Sequence, residues 1–230
     1  RFYSDDGGKS WSKPTDIADD IYSQFDNGKW GPVRSMFVAS GRVLQSRYVK
    51  VGKYYRLYCA VLQTVANGEW MNFVLFSDDF GESWSVLGGV NQAPIMKGAD
   101  EAKVEELPGG GLLISSRTNN NGRNFNIFTF SDVKRGEGSW GEMAHSSKHN
   151  GGVFSDRNAC NGELMVVPVK RKSDNKPMYL LLQSLPLGPN RANVGIYYKE
   201  LASIDDYYMP NLLAEKWDGV KQVTTLNSAY

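Results

Sequence analysis

Short apolar runs alternate with turn residues along most of the chain, and this pattern predicts β-strands rather than helices. The runs have strand length, are rich in β-branched and aromatic residues, and are bounded by Gly, Asn, Asp or Pro. They cover residues 54–65, 72–77, 111–118, 125–131, 162–171, 178–186 and 194–201. Segments with hairpin-turn residues lie at 108–111, 119–124 and 172–177. Because helical periodicity is nearly absent, the sequence predicts an all-β fold.

The composition agrees with a globular fold and excludes several classes of function. Hydrophobic residues make up 41% and charged residues 22% of the chain, as in ordinary folded domains. A net charge of +1 predicts neither a nucleic-acid partner nor an anionic membrane surface. The chain lacks the run of about 18 apolar residues that a membrane span needs. Cys59 and Cys160 lie in apolar runs, so we expect two buried free thiols rather than a disulfide framework. No signal peptide is visible, and Arg1 is predicted to lie in a strand.

One acidic octet occurs twice along the chain. Residues 4–11 (SDDGGKSW) and 77–84 (SDDFGESW) both fit S-x-D-x-G-x-S-W, residues 131–140 form a degenerate third copy, and Trp217 marks a candidate fourth. Spacings of 73, 56 and 77 residues separate Trp11, Trp84, Trp140 and Trp217. A unit of this length holds four short strands with their loops, which is the size of a propeller blade. A β-sandwich stays open, but it does not explain a motif repeated at a fixed place after a strand.

Each octet is interpreted as a structural turn. Its Asp can accept hydrogen bonds from backbone N–H groups, its Gly allows a positive φ, and its Trp can bury a ring at the next strand. The alternative is a calcium loop, but the octet lacks alternating carboxylates, a closing Glu and flanking helices. His145 and His149 lack a third ligand and are predicted to be surface residues. The sequence therefore predicts no metal site.

The octets resemble the Asp boxes of sialidases (neuraminidases) and other BNR-repeat propellers, although Asp boxes also occur in proteins that are not enzymes. The resemblance implies a six-bladed β-propeller, of which residues 1–230 would form a partial domain of roughly four to five blades. In sialidases an Arg-Ile-Pro segment with the first triad arginine, and an acid/base Asp, precede the first box. Neither has a counterpart before Ser4. We therefore expect an interior portion of a propeller, without the start of the first blade or the closing strands, that is poorly soluble or inactive alone.

Candidate chemistry lies between the octets, in residues 98–118 (GADEAKVEELPGGGLLISSRT). Glu101 precedes a predicted strand, and Arg117 ends its partner strand 16 residues later. A hairpin would bring both side chains to one cleft, although alone they could be ordinary surface residues. Glu105 and Glu106 lie inside the strand, where a salt-bridged or solvated role suffices.

The resemblance gives roles to four residues. In sialidases a Glu stands before a V-x-E-L strand, and an Arg one hairpin later binds the substrate carboxylate, which matches Glu101 and Arg117. Arg191 follows a Gly-Pro turn and precedes a strand, like the third arginine of the sialidase triad. Tyr230 ends the segment LNSAY and resembles the nucleophilic tyrosine of an Ala-Tyr-Ser segment, whose Ser would follow it.

The chemistry of sialic acid explains these residue types. Its carboxylate adjoins the anomeric carbon, so arginines suit its recognition and a carboxylate nucleophile would be repelled. A neutral tyrosine avoids that repulsion when a Glu takes its proton. The resemblance implies a secreted, periplasmic or cell-surface exo-α-sialidase that hydrolyses sialylated glycans with retention, with Tyr230 as nucleophile, Glu101 as its base, and no cofactor. A propeller that binds glycans or proteins without catalysis, and a trans-sialidase, stay as alternatives.

The loop at residues 31–42 is a further candidate for contact with substrate. Its apolar residues 36–38 could line a pocket for an N-acetyl group, or they could pack in the core. Arg34, Arg42 and Arg47 are expected to be solvated or paired.

Overall fold

The computed structural model describes residues 1–38, 41–155, 160–203 and 207–225. In this part of the chain the strands are β1 (Ser35–Val38), β2 (Leu44–Val51), β3 (Tyr54–Thr64), β4 (Trp70–Ser77), β5 (Ser85–Val86), β6 (Ala102–Glu106), β7 (Leu112–Arg117), β8 (Arg123–Asp132), β9 (Glu137–Trp140), β10 (Ala144–Ser146), β11 (Leu164–Lys170), β12 (Pro177–Pro186), β13 (Val194–Leu201) and β14 (Gly219–Gln222). The helices α1 (Ala18–Tyr22) and α2 (Pro210–Ala214) have five residues each. Single 3₁₀ turns lie at Ser23–Phe25, Lys148–Asn150 and Pro189–Arg191. The all-β prediction is confirmed.

The predicted strands match most of the longer strands of the structure, but the eight-residue strand β2 corresponds to no predicted run. The seven apolar runs correspond to β3, β4, β7, β8, β11, β12 and β13, and the run before the first predicted hairpin turn corresponds to β6. The prediction that Arg1 lies in a strand is wrong, because the described chain has no strand before β1. Its side chain instead donates hydrogen bonds to the carbonyls of Gly81 and Glu82.

The strands form three antiparallel sheets, and each sheet follows the order of the chain. In the first sheet β1 and β2 lie end to end along β3, which pairs with β4, and β4 pairs with β5. The second sheet runs β6, β7, β8, with β9 and β10 end to end along β8. The third runs β11, β12, β13, β14. Such meanders follow from the short hairpin turns, which can join only antiparallel neighbours.

The sheets pack face to face with the second sheet in the middle. Side chains on one strand point alternately to the two faces of the sheet. In the second sheet Leu112, Ile114 and Phe128 therefore pack toward the first sheet. Leu113, Phe125 and Ile127 pack toward the third. The strand β6 contacts both β3 and β11, so the first strands of the sheets lie near one another. Three sheets lie in the described residues; the counts of four to five blades here and six in all stay predictions.

The first octet forms a turn that closes on Asp6. One carboxylate oxygen accepts hydrogen bonds from Ser4 Oγ (2.8 Å) and from the backbone N–H groups of Lys9 (3.0 Å) and Ser10 (2.9 Å). The other accepts from Ser10 Oγ (2.7 Å). Gly8 has a φ of +85°, in the left-handed region that favours glycine. The turn has the hydrogen bonds expected of a structural motif.

The second octet repeats this geometry. Asp79 accepts hydrogen bonds from Ser77 Oγ (2.8 Å), from the backbone N–H of Ser83 (2.9 Å) and from Ser83 Oγ (2.6 Å). Gly81 has a φ of +90°. Trp84 packs against the core of the first sheet, directly before β5. The octet therefore joins β4 to β5, as a hairpin stabiliser should.

The tryptophan and the third copy depart from the prediction. Trp11 is 59% exposed and packs edge to face on Phe2, so the expectation that its ring is buried is wrong. In the described part of the chain, no strand follows Trp11 before β1. In the third copy Asp132 accepts only from the backbone N–H groups of Lys134 and Arg135, which makes a small Asx turn.

The two octet aspartates predict a specific acid dependence of stability. Hydrogen bonds from Ser10 and Ser4 lower the pKa of Asp6 from 3.8 to about 2. For Asp79, burial opposes the shift, but hydrogen bonds from Ser83 and Ser77 still lower the pKa to about 2. A lowered carboxyl pKa contributes stability that is present above pH 3.8 and is lost as the pH falls toward 2.

We expect the Asp79→Asn variant to show a weaker loss of stability between pH 5 and pH 2 than the parent protein. Urea denaturation at several pH values would measure this difference. Asp5→Asn is the matched control, because Asp5 is an octet acid whose carboxylate accepts no hydrogen bond from the described residues. Parallel pH profiles for the parent and Asp79→Asn would contradict the expectation.

Other predictions concern single residues. Cys59 and Cys160 are buried free thiols, as predicted. His145 and His149 are exposed, also as predicted. No group of three or more candidate metal ligands occurs among the described residues. None of the helices in the described ranges is long and apolar enough to cross a membrane.

Candidate functional site

The hairpin of β6 and β7 brings Glu101 and Arg117 together. Glu101 lies one residue before β6, Arg117 is the last residue of β7, and Ala102 pairs with Ser116. The Arg117 backbone N–H donates to the Glu101 carbonyl (3.0 Å), and Arg117 Nη1 donates to Glu101 Oε2 (2.8 Å). The Glu101 side chain is 14% exposed and the Arg117 side chain is 23% exposed. The structure thus places these residues side by side and partly open to solvent.

Asp100 is a second carboxylate at this pair, and the sequence did not single it out. Its Oδ2 lies 3.2 Å from Arg117 Nε, and its Oδ1 accepts from the Glu101 backbone N–H (2.8 Å). Arg117 Nη2 and Glu101 Oε1 make no hydrogen bond with the described residues. Within the described ranges, one guanidinium nitrogen and one carboxylate oxygen of this pair therefore have no hydrogen-bond partner.

Arg191 projects from a tight loop between β12 and β13. The loop closes through a hydrogen bond from the Gly188 N–H to the Ala192 carbonyl (3.0 Å). Asn190 and Arg191 have φ values of +57° and +59°, in the left-handed region. This conformation costs on the order of 1–3 kcal/mol per non-glycine residue and is a feature of binding and catalytic sites. The half-buried Arg191 side chain has no hydrogen bond or ion pair with the described residues.

Electrostatic interactions at Cys160 link these groups. Burial raises the pKa of the Cys160 thiol, and the charges of Arg123, Arg191 and Arg117 oppose the shift. The negative charge of Glu101 raises the pKa of the same thiol. The charges that act on this thiol therefore come both from the second sheet and from the loop between β12 and β13.

Arg123 is a charged residue of this region that the sequence did not reveal. It is 1% exposed, and its Nε and Nη2 donate to Ser115 Oγ (2.6 Å) and to the Ser115 carbonyl (3.0 Å). Its Nη1 donates to the Cys160 carbonyl (3.3 Å). Burial lowers the pKa of Arg123 to about 10, so the guanidinium stays charged at neutral pH. Its place within the predicted turn at 119–124 gave no indication that the side chain is buried.

The same face of β6 carries further charges away from Glu101. Burial lowers the pKa of Lys103, and the negative charge of Glu163 opposes this. Glu105 accepts hydrogen bonds from Arg42 and Arg47. The expectation that Glu105 has a salt-bridged role and that these arginines are paired is confirmed.

The remaining predictions concern Tyr230 and residues 36–38. Tyr230 lies outside the described residues, so its role stays a prediction. The core-packing alternative for residues 36–38 holds for Met36, which packs against the core of the first sheet, but it is wrong for Phe37 and Val38. These two side chains are exposed, because β1 is an edge strand.

Comparison with known proteins adds structural relatives. No protein-family model matches the sequence, and no curated protein matches it either. An intramolecular trans-sialidase from Ruminococcus gnavus, solved with oseltamivir carboxylate, superposes with a TM-score of 0.65 at 21% identity over 97% of this chain. A leech intramolecular trans-sialidase gives 0.63 at 23% identity over 97%. A Hadza microbial sialidase gives 0.61 at 23% identity over 96%.

The relatives are much longer than this chain. The alignments cover 40% of the Ruminococcus gnavus protein, 29% of the leech protein and 36% of the Hadza protein. The likeness nevertheless extends over nearly all of the described strands, at identities that establish the fold alone. The chain therefore has a sialidase-type fold.

Proposed function

We propose that the complete protein is an exo-α-sialidase that releases terminal sialic acid from glycans, on a six-bladed propeller. The observation that carries this proposal is the Glu101–Arg117 pair, with its 2.8 Å hydrogen bond at the mouth of a hairpin. The sialidase-type fold supports it.

In this mechanism the arginines bind and the Glu–Tyr pair reacts. Arg117 Nη2 and the Arg191 guanidinium hold the carboxylate of the sugar by charge-assisted hydrogen bonds. Glu101 Oε1 takes the phenolic proton of Tyr230 as its oxygen attacks the anomeric carbon and the aglycone oxygen departs. Water then displaces the tyrosine, which recovers its proton from Glu101, while the group that protonated the aglycone takes the proton of the water, and the anomeric configuration is retained. The sequence offers no match for the acid/base aspartate, so the donor of the leaving-group proton is not assigned.

A trans-sialidase is the second candidate. Two of the structural relatives are intramolecular trans-sialidases, and the leech structure contains 2,7-anhydro-Neu5Ac prepared by soaking with 3'-sialyllactose. The chemistry on the enzyme is the same up to the tyrosyl intermediate, which is then captured by a sugar hydroxyl in place of water. The partners are sialylated glycans in both cases, and a secreted, periplasmic or cell-surface location accompanies either activity.

Incubation of the complete protein with 3'-sialyllactose, followed by mass spectrometry of the products, tests the proposal. Free sialic acid together with lactose is expected for the hydrolase. Anhydro-sialic acid or a sialylated acceptor would identify a trans-sialidase. Binding of the trisaccharide without any product would show the non-catalytic glycan-binding propeller instead, and neither binding nor turnover would overturn the sialic-acid assignment.

A further inference from the structure

A buried chain of hydrogen bonds joins the second sheet to the third directly beneath the candidate site. Arg123 Nε donates to Ser115 Oγ (2.6 Å), and Ser115 Oγ donates to Gln183 Oε1 (2.9 Å). Gln183 Nε2 then donates to the Glu163 carbonyl (3.0 Å). Arg123, Ser115 and Gln183 are buried. Hydrogen bonds in such an environment are strong and costly to leave unmade, so the chain fixes the relative position of the two sheets here.

A second branch leads from the same guanidinium to the same backbone segment. Arg123 Nη1 donates to the Cys160 carbonyl, so both branches end on the residues that precede β11. The Glu163 backbone in turn exchanges hydrogen bonds with Ser184 of β12. The strand β12 ends at Pro186 and leads into the loop that presents Arg191. The network therefore connects β8 with the base of the Arg191 loop.

Arg123 also lies directly opposite Arg117 in the pairing of β7 with β8. Like charges at such cross-strand positions are unfavourable. The structure separates them: Arg117 turns toward Asp100 and Glu101, while Arg123 turns into the protein. Among the described residues no carboxylate lies within ion-pair distance of Arg123. Burial of a cation without an ionic partner costs free energy, so Arg123 is not explained by a gain in stability.

We propose that Arg123 is a positioning residue, which holds the Glu101–Arg117 pair on the second sheet in a fixed geometry against the Arg191 loop on the third. The catalytic part of this inference rests on the proposed function. Ligands cannot reach the buried Arg123 guanidinium.

Cys160 offers a test of this positioning role that does not depend on catalysis. Its carbonyl is the acceptor of Arg123, and its thiol is buried. In the complete protein under native conditions, Arg123→Met is expected to accelerate alkylation of Cys160 by about tenfold or more, because hydrogen bonds from a charged donor are lost. Arg123→Lys, which keeps the charge, should give a smaller acceleration. Peptide mass spectrometry separates Cys160 from Cys59, whose alkylation rate should not change.

Arg56→Met is the matched control for removal of a buried arginine. Arg56 is buried in the first sheet, where it pairs with Asp78 through two contacts of 2.7 and 2.8 Å and donates to the Gly136 carbonyl. This variant should lower the melting temperature without accelerating Cys160 alkylation. Equal Cys160 rates in Arg123→Met and the parent protein would overturn the positioning role, as would the same acceleration in Arg56→Met.

The catalytic readout completes the test. With 3'-sialyllactose, Arg123→Met should lower kcat/KM by about 10²-fold, the size expected from an ångström-scale displacement of the site. Arg123→Lys should lower kcat/KM less than Arg123→Met does, and Arg56→Met should leave kcat/KM unchanged. Accelerated alkylation in a parent protein that neither binds nor cleaves sialosides would refute the proposed function while leaving the structural role of Arg123 intact. Accelerated alkylation with unchanged kcat/KM would refute the catalytic part of the inference.

Discussion

Replacement of Glu101 by glutamine in the complete protein is expected to lower kcat for sialoside cleavage by about 10²–10⁴-fold, the range for loss of a general base. Glutamine can still accept the hydrogen bond from Arg117 Nη1 through its side-chain carbonyl, so the geometry of the pair should persist. It cannot take a proton from Tyr230, however. Steady-state rates with a fluorogenic sialoside would measure the effect, and KM should change much less than kcat.

Glu200→Gln is the matched control for this change. Glu200 also pairs with an arginine, Arg171, at 3.0 Å, but on the exposed surface of the third sheet. Its replacement should leave kcat and KM unchanged. Tyr230→Phe should reproduce the loss seen in Glu101→Gln, because both remove the same reacting pair. Full activity in both Glu101→Gln and Tyr230→Phe would show that neither residue performs the chemistry.

Most of the long strands could be predicted because their apolar patterns are explained by burial in the structure. The eight-residue strand β2 could not, because exposed residues interrupt its buried positions and its pairing with β3 shifts register. Strands such as β4 and β7 pack on both faces and therefore appear as continuous apolar runs. The short strands β5, β10 and β14 could not be predicted in this way. They have two to four residues, too few to display a period, and pairing with a neighbour alone defines them.

The Glu101–Arg117 pair could be predicted because a hairpin fixes its own register. Residues at the open end of a two-stranded hairpin must be neighbours, and no knowledge of the other sheets is needed. The position of Arg191 relative to this pair depends on how the third sheet packs, so only the resemblance to sialidases predicted a shared site. Arg123 follows a run of polar turn residues, where an arginine is ordinarily solvated. Its burial arises from contact with Cys160, 37 positions later, which local sequence cannot reveal.

Glu106→Leu is expected to lower the free energy of unfolding by about 1–3 kcal/mol, the range for leaving buried hydrogen-bond donors without their acceptor. Glu106 is fully buried and accepts hydrogen bonds from Ser46 Oγ, from the Arg47 backbone N–H (2.7 Å) and from Arg47 Nε (3.4 Å). These donors lie where the pairing of β2 with β3 shifts register. Leucine would leave the Arg47 N–H without this acceptor at an irregular point of the strand. Urea denaturation followed by tryptophan fluorescence would measure the change.

Glu137→Gln provides the exposed counterpart of this experiment. Glu137 pairs with Arg135 at 2.7 Å, but the two side chains are 54% and 71% exposed, and such pairs contribute about 0–1 kcal/mol. The stability loss of Glu106→Gln should lie between those of Glu106→Leu and Glu137→Gln. The glutamine carbonyl can replace one acceptor oxygen, but its NH₂ group would face hydrogen-bond donors. This order follows from burial, because water can solvate the Glu137 carboxylate but does not reach the buried Glu106 carboxylate. Equal stability losses in Glu106→Leu and Glu137→Gln would show that the β2 irregularity does not depend on the buried carboxylate.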